Sequence, residues 1–319
     1  MEIRKRLHRK GVFYTIIAIT LLMAVIFSST LSYQYKYREQ RAIIETRVNT
    51  MENFIKDLED DTEKGVTVAG YRAIVGMTNY VIDNMQFIDD VDQRFQELFY
   101  YGTIYGNSSF VMENNTFLNW TYKMEEEAEK IGIDVDLTLL YFNVKQTGPW
   151  SIEVTVNVSA ELTDLRGTAS WGKTYQVVVG IPIDGFEDPV YAVKTSNAVP
   201  KTINRTIYEN DYVSGNDTTN LQLHMNGSYY TEFNASPSFF MRFEGDFNAS
   251  EYGIESIVNK EDVSIYWPCP EGTSNVDTLY WQCSSAQTWT VNNMQSWFYL
   301  DNQTGDEGRH KKYEVSNLI

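Results

Sequence analysis

The sequence predicts an α+β chain: an N-terminal transmembrane helix continuing into a helical region, then an antiparallel β-sheet ectodomain. Three observations predict it. Gly11–Tyr33 is a 23-residue run without a charge. Apolar residues at helical spacing follow it, and period-two alternation takes over further along the chain.

The uncharged run GVFYTIIAITLLMAVIFSSTLSY is long enough to cross about 30 Å of hydrocarbon as one helix. A cleaved secretory signal has a shorter apolar core, about 7–15 residues, and a small-x-small cleavage site. Val12–Phe27 already exceeds that length and no such site follows, so the segment reads as a retained anchor, with the bilayer as its partner. Arg4, Lys5, Arg6, Arg9 and Lys10 precede it, and the positive-inside rule places the N-terminus in the cytoplasm and the C-terminal domain outside. The chain carries 43 acidic and 26 basic side chains for a net charge of −17; the first eleven residues carry +4, so the remainder carries −21. Such acidity excludes nucleic acid as a partner, because phosphates are held mainly by Lys and Arg. The mean hydropathy of −0.36 averages over two solvents.

Beyond the anchor, Ile44, Val48, Met51, Ile55 and Leu58 form a heptad-spaced helical stripe. Gly65 and Gly70 bracket an expected break. A second helical pattern runs through Ile74, Met77, Val81, Met85, Ile88, Val91, Phe95 and Leu98 and ends near Gly102. A short helix is expected over Met124–Lys130. Strands follow over 136–144, 150–160 and 170–183, joined by the turn-rich QTGP and LTDLRG in the manner of an antiparallel meander. In the middle run Ile152, Val154, Val156 and Val158 share one face. Phe239–Phe243, Val263–Trp267 and Thr278–Trp281 read as further short strands. The organisation expected is a basic cytoplasmic tip (1–11), an anchor (12–33), a helical stalk (34–104), a β-meander (105–200) and a loop-rich β region with a disulfide hairpin (201–319).

N-x-S/T acceptors begin at Asn107, Asn114, Asn119, Asn157, Asn204, Asn216, Asn226, Asn234, Asn248 and Asn302. Chance gives roughly four, and none precedes residue 107, so the acceptors fall on the side that charge places outside. The same compartment suits a disulfide between Cys269 and Cys283, whose aromatic-rich flanks and turn-rich centre resemble a hairpin; two separate buried thiols are the alternative.

The sequence contains no nucleophile motif, phosphate loop or metal-ligand spacing, so no catalytic, metal or cofactor site is expected. His224 stands alone in LQLHMNG and reads as structural. The acidic runs 57–63 and 89–92 read as solvated helix faces, with weak cation binding as the sharper alternative. Trp267, Trp281, Trp289 and Trp297, with Tyr280 and Tyr299, read as core packing, with a sugar-binding platform as the alternative.

The junction RKG–VFYTIIAIT, a basic stretch ending in Gly11 directly before an apolar helix, resembles the class III signal of type IV prepilins and archaeal pilin-like proteins. The resemblance implies cleavage between Gly11 and Val12, and a helix that continues outward to pack on an antiparallel sheet. The segments PIDGFEDPVYAV and SFFMRFEGDFNASEYGIESIVN also resemble those of archaeal surface proteins with such a start. Ile16 stands where these pilins usually carry Glu, which implies a minor, tip or non-polymerising subunit. The function expected is therefore that of a single-pass extracellular glycoprotein of structural or adhesive role, partnered with other pilin-like subunits or surface proteins. A membrane-anchored ligand- or glycan-binding module is the alternative, and a surface hydrolase the third.

Overall fold

An unbroken run of helix-compatible residues, free of Pro from Ile3 to Asn84, folds as one helix, α1 (Ile3–Asn84, 82 residues). At 1.5 Å per residue it is about 120 Å long. The computed structural model describes residues 3–167, 169–301 and 308–315.

The helix has two environments. Residues 11–46 are exposed throughout, whereas from Met51 a stripe through Ile55, Leu58, Thr62, Val66, Ala69, Ala73, Met77 and Val81 is buried. The expected break at Gly65 and Gly70 does not occur, because these glycines serve close approach. A Cβ on Gly65 would stand 2.8 Å from the Trp120 ring, and one on Gly70 2.6 Å from Ile181 Cδ1. The break comes instead where Met85 adopts φ +53, so the second helical pattern is split between the end of α1 and α2 (Val91–Tyr101). Asp90 caps α2 by accepting from Gln93 N, and Gly102 closes it at φ +74.

A two-residue hairpin, β1 (Thr103–Ile104) with β2 (Asn107–Ser108), leads through a single 3-10 turn at Phe110–Met112 to α3 (Phe117–Lys130), capped by Thr116. Then β3 (Ile133–Gly148), β4 (Ser151–Asp164) and β5 (Ser170–Pro182) form an antiparallel sheet in sequential order. The expected meander is present. Its register pairs Val144 with Val154 and Val156 with Val177, and Ile152, Val154, Val156 and Val158 are all fully buried on the face towards α1. Several polar contacts fasten helix to sheet and loops. Thr62 Oγ1 and Tyr175 Oη lie 2.8 Å apart, Lys173 pairs with Glu59, Arg47 Nη1 donates to Ile131 O at 3.3 Å, and Arg72 Nη1 donates to Val111 O at 2.9 Å.

The remaining chain is built from short pieces: α4 (Pro189–Thr195), α5 (Thr219–Asn226), β6 (Tyr230–Glu232), α6 (Phe239–Glu244), β7 (Ile254–Ser256), α7 (Lys260–Val263), α8 (Asp277–Tyr280), β8 (Thr288–Thr290), β9 (Tyr299–Asp301) and α9 (Arg309–Lys312). Three runs expected as strands are not strands. Residues 239–243 are helical because Ser238 caps their N-terminus and Gly245, at φ +68, their C-terminus. The 263–267 run begins at the end of α7, which Asn259 caps, and 278–281 lies in and just after α8. One hydrophobic core extends from Met51 to Ile254, across the boundaries expected at 104 and 200, and two smaller clusters gather the C-terminal pieces.

Candidate functional site

The feature that distinguishes this chain begins at its exposed helix. Gly11 and Val12 lie inside α1, with nothing within 4 Å of where a Gly11 side chain would be. From Val12 to Tyr37 large apolar and aromatic side chains point outward with no protein covering them, and none of the apolar window is buried. Soluble proteins rarely expose so large a continuous apolar surface. This helix is long and apolar enough to cross a membrane. At the end of the run, Tyr33 and Tyr37, four residues apart on one helix face, pack edge to face with centroids 4.7 Å apart, and tyrosines are enriched at membrane–water interfaces.

The acceptor asparagines are mostly at the surface. Asn107, Asn114, Asn204, Asn216, Asn226, Asn234 and Asn248 are exposed. Asn119 is half-buried, its carboxamide oxygen accepting from Thr116 Oγ1 at 2.6 Å, and Asn157 is half-buried in the central strand β4. Asn302 lies outside the described residues.

Cys269 and Cys283 form a disulfide, yet not across a β-hairpin: one follows α7 and the other α8. The four tryptophans make separate contacts. Trp281 is fully buried edge-on against Tyr191, so it is core rather than ligand platform. Lys194 Nζ sits 4.0 Å over the Trp267 ring, Trp297 Nε1 donates to Glu261, and Trp289 lies in β8 opposite Leu300.

Buried among the C-terminal pieces is an ionic network. Arg242 donates to Asp188 and Asp277, and Asp277 also accepts from Ser256 N and Oγ. Arg309 donates to Glu255 and to Asp301 at 2.9 Å each, and Tyr313 Oη donates to Glu255. Burial lifts the carboxyls of Glu255 and Asp277 above the usual range despite their guanidinium partners, and holds Tyr191, Tyr230 and Tyr313 neutral. Sequence reasoning missed this network. Its one visible signal is Arg242 in FFMRF, a lone charge inside an apolar run, which only a buried acid makes tolerable. Among the described residues no group of three or more His, Cys, Asp or Glu side chains is placed to hold a metal ion.

Open grooves lie elsewhere. One of about 750 Å³ runs between α1 and the 110–115 segment, lined by Val68, Tyr71, Val75, Phe110, Val111 and Asn114 among others. A neighbouring one of about 220 Å³ shares Val68, Asn114 and Asn115 and reaches Trp120 and Lys123. A third, about 480 Å³, is lined by Pro149, Glu232, Phe233, Asn234 and Lys312. Comparison with known proteins finds no matching family model, no matching curated protein and no matching solved structure.

Proposed function

We propose that this chain is a single-pass membrane-anchored surface protein with an extracellular glycosylated domain, of structural or adhesive role, related in plan to minor pilin-like subunits. The observation that carries the reading is the two-part character of α1: uncovered and apolar from residue 11 to 33, clamped to an antiparallel sheet above residue 47, with no break between. A continuous helix transmits position rigidly, so the sheet domain stands about 20 Å above the end of the apolar run, over the exposed turns 34–46. The basic residues before the run and the acceptor sites after it support an outward-facing domain.

Membrane fractionation with mass spectrometry of the mature N-terminus tests this. Carbonate-resistant membrane retention is expected, lost when residues 12–33 are deleted. A mature chain starting at Val12 supports prepilin-type processing, blocked by substitution of Gly11. An intact start at Met1 or Glu2 removes the pilin-like part and leaves an ordinary signal anchor.

A further inference from the structure

The groove between α1 and the 110–115 segment exposes aromatic surface that a folded domain normally covers. Phe110 is 87% and Tyr71 50% exposed, and Val68 beside them is 47% exposed. One lining residue is chemically different. Asn114 sits at φ +58 at the apex of the turn, exposed, and begins the acceptor triplet Asn114-Asn115-Thr116. Lys123 Nζ donates to its backbone carbonyl at 3.1 Å, whereas its carboxamide makes no hydrogen bond among the described residues. Asn114 also lines the adjoining groove that leads to Trp120 and Lys123, so it stands where the two meet.

Resting on the reading of an exported glycoprotein, we infer that Asn114 carries an N-linked glycan and that this glycan docks back into the groove, covering Phe110 and Tyr71. Three features fit a sugar. Pyranose rings present apolar C–H faces that pack flat on aromatic side chains, as on Phe110 and Tyr71, and polar edges that suit the rim of Arg72, Glu113 and Asn115. The groove, about 750 Å³, is large enough for several sugar rings. Attachment at the rim makes docking intramolecular, with a millimolar-range effective concentration, so weak stacking suffices. Thr116 supplies the hydroxyl that completes the N-x-S/T triplet and also caps α3 by accepting from Asn119 N at 3.0 Å, which fixes the turn holding Asn114 at the groove mouth.

The test is glycopeptide mass spectrometry of the full chain from a glycosylating host, joined to hydroxyl-radical footprinting of the parent and of Asn114→Asp. Aspartate keeps the left-handed turn and cannot be glycosylated. Occupancy at Asn114 is expected, with oxidation of Phe110 and Tyr71 rising about threefold in Asn114→Asp, the ratio for a tethered ligand docked two-thirds of the time. Tyr101, exposed elsewhere, should not change. Thr116→Ser, which keeps both the acceptor and the cap, should behave as the parent. An unoccupied Asn114 beside other occupied acceptors overturns the inference alone. So does an occupied Asn114 with unchanged oxidation, including protection that depends on protein concentration and so reports a second copy in the groove. No occupancy at any acceptor overturns both the inference and the glycoprotein reading.

Discussion

Arg242 Nη2 donates to Asp277 Oδ2 at 2.7 Å, and both side chains are wholly excluded from water. The same guanidinium also reaches Asp188, the N-cap of α4, and the carbonyl of Ile254 on β7. One side chain on α6 therefore joins α4, β7 and α8. Replacing a buried pair wholesale is often tolerated, but removing one partner leaves an uncompensated charge. Arg242→Met keeps the length and apolar stem while stranding two carboxylates. We expect a loss of about 3–5 kcal/mol, read as a lowered urea midpoint of the full chain in detergent. Arg242→Lys should recover part of it, since it restores the charge without the fork.

His224 on α5 is buried against Tyr212 and Tyr313, with Nδ1 3.0 Å from Thr206 Oγ1. Burial, reinforced by the Lys312 charge, pushes its pKa down to about 3 from 6.5. The folded state thus excludes a proton that the unfolded state accepts. Stability from this group is full above pH 6.5 and is lost as pH falls through the window down to about 3. At pH 5 the loss is about 2 kcal/mol. A pH series of urea melts should show this decline in the parent and its absence in His224→Phe; parallel curves for the two proteins would refute it.

His224 was legible as structural because a lone imidazole in an apolar context has no partner set in sequence. The meander was legible for a similar reason: Ile152, Val154, Val156 and Val158 alternate strictly, and period two on a long run has one interpretation. What failed were short apolar runs. Phe239–Phe243 is β-rich in composition, yet at five residues periodicity carries no information, and the decisive signals were the flanking Ser238 and Gly245 caps. Gly65 and Gly70 misled for another reason. A glycine in a helix interior costs about 1 kcal/mol against Ala and so suggests a break, but the benefit that retains it, contact with Trp120 and Ile181, lies 55 and 111 residues away. The Arg242 network is hidden likewise, its carboxylates coming from positions 188 and 277.

The Cys269–Cys283 bridge closes a sequence separation of 14 residues and ties the segment after α7 to the turn after α8. A loop of about 15 residues is worth roughly 3 kcal/mol in the chain-entropy model. Reduction, or the double variant Cys269→Ser with Cys283→Ser, should lower the unfolding midpoint accordingly. The exposed apolar half of α1 should be unaffected, which circular dichroism at the helix band would show as residual signal after the domain melts.

Gly65 offers a test of how α1 is joined to the domain. Its backbone carries the flat face of Trp120 from α3, and a side-chain Cβ placed there would stand 2.8–2.9 Å from three ring atoms. In an uncrowded helix, Gly→Ala would stabilise by about 1 kcal/mol. Here the ring must move as a body, and overpacking typically costs about 1–3 kcal/mol. Gly65→Ala is therefore expected to destabilise by roughly 0–2 kcal/mol, with the sign restored to stabilising when Trp120 is replaced by Leu. A double-mutant cycle on thermal unfolding reads the coupling directly. Additive effects of the two substitutions would mean that the ring does not bear on the helix at Gly65.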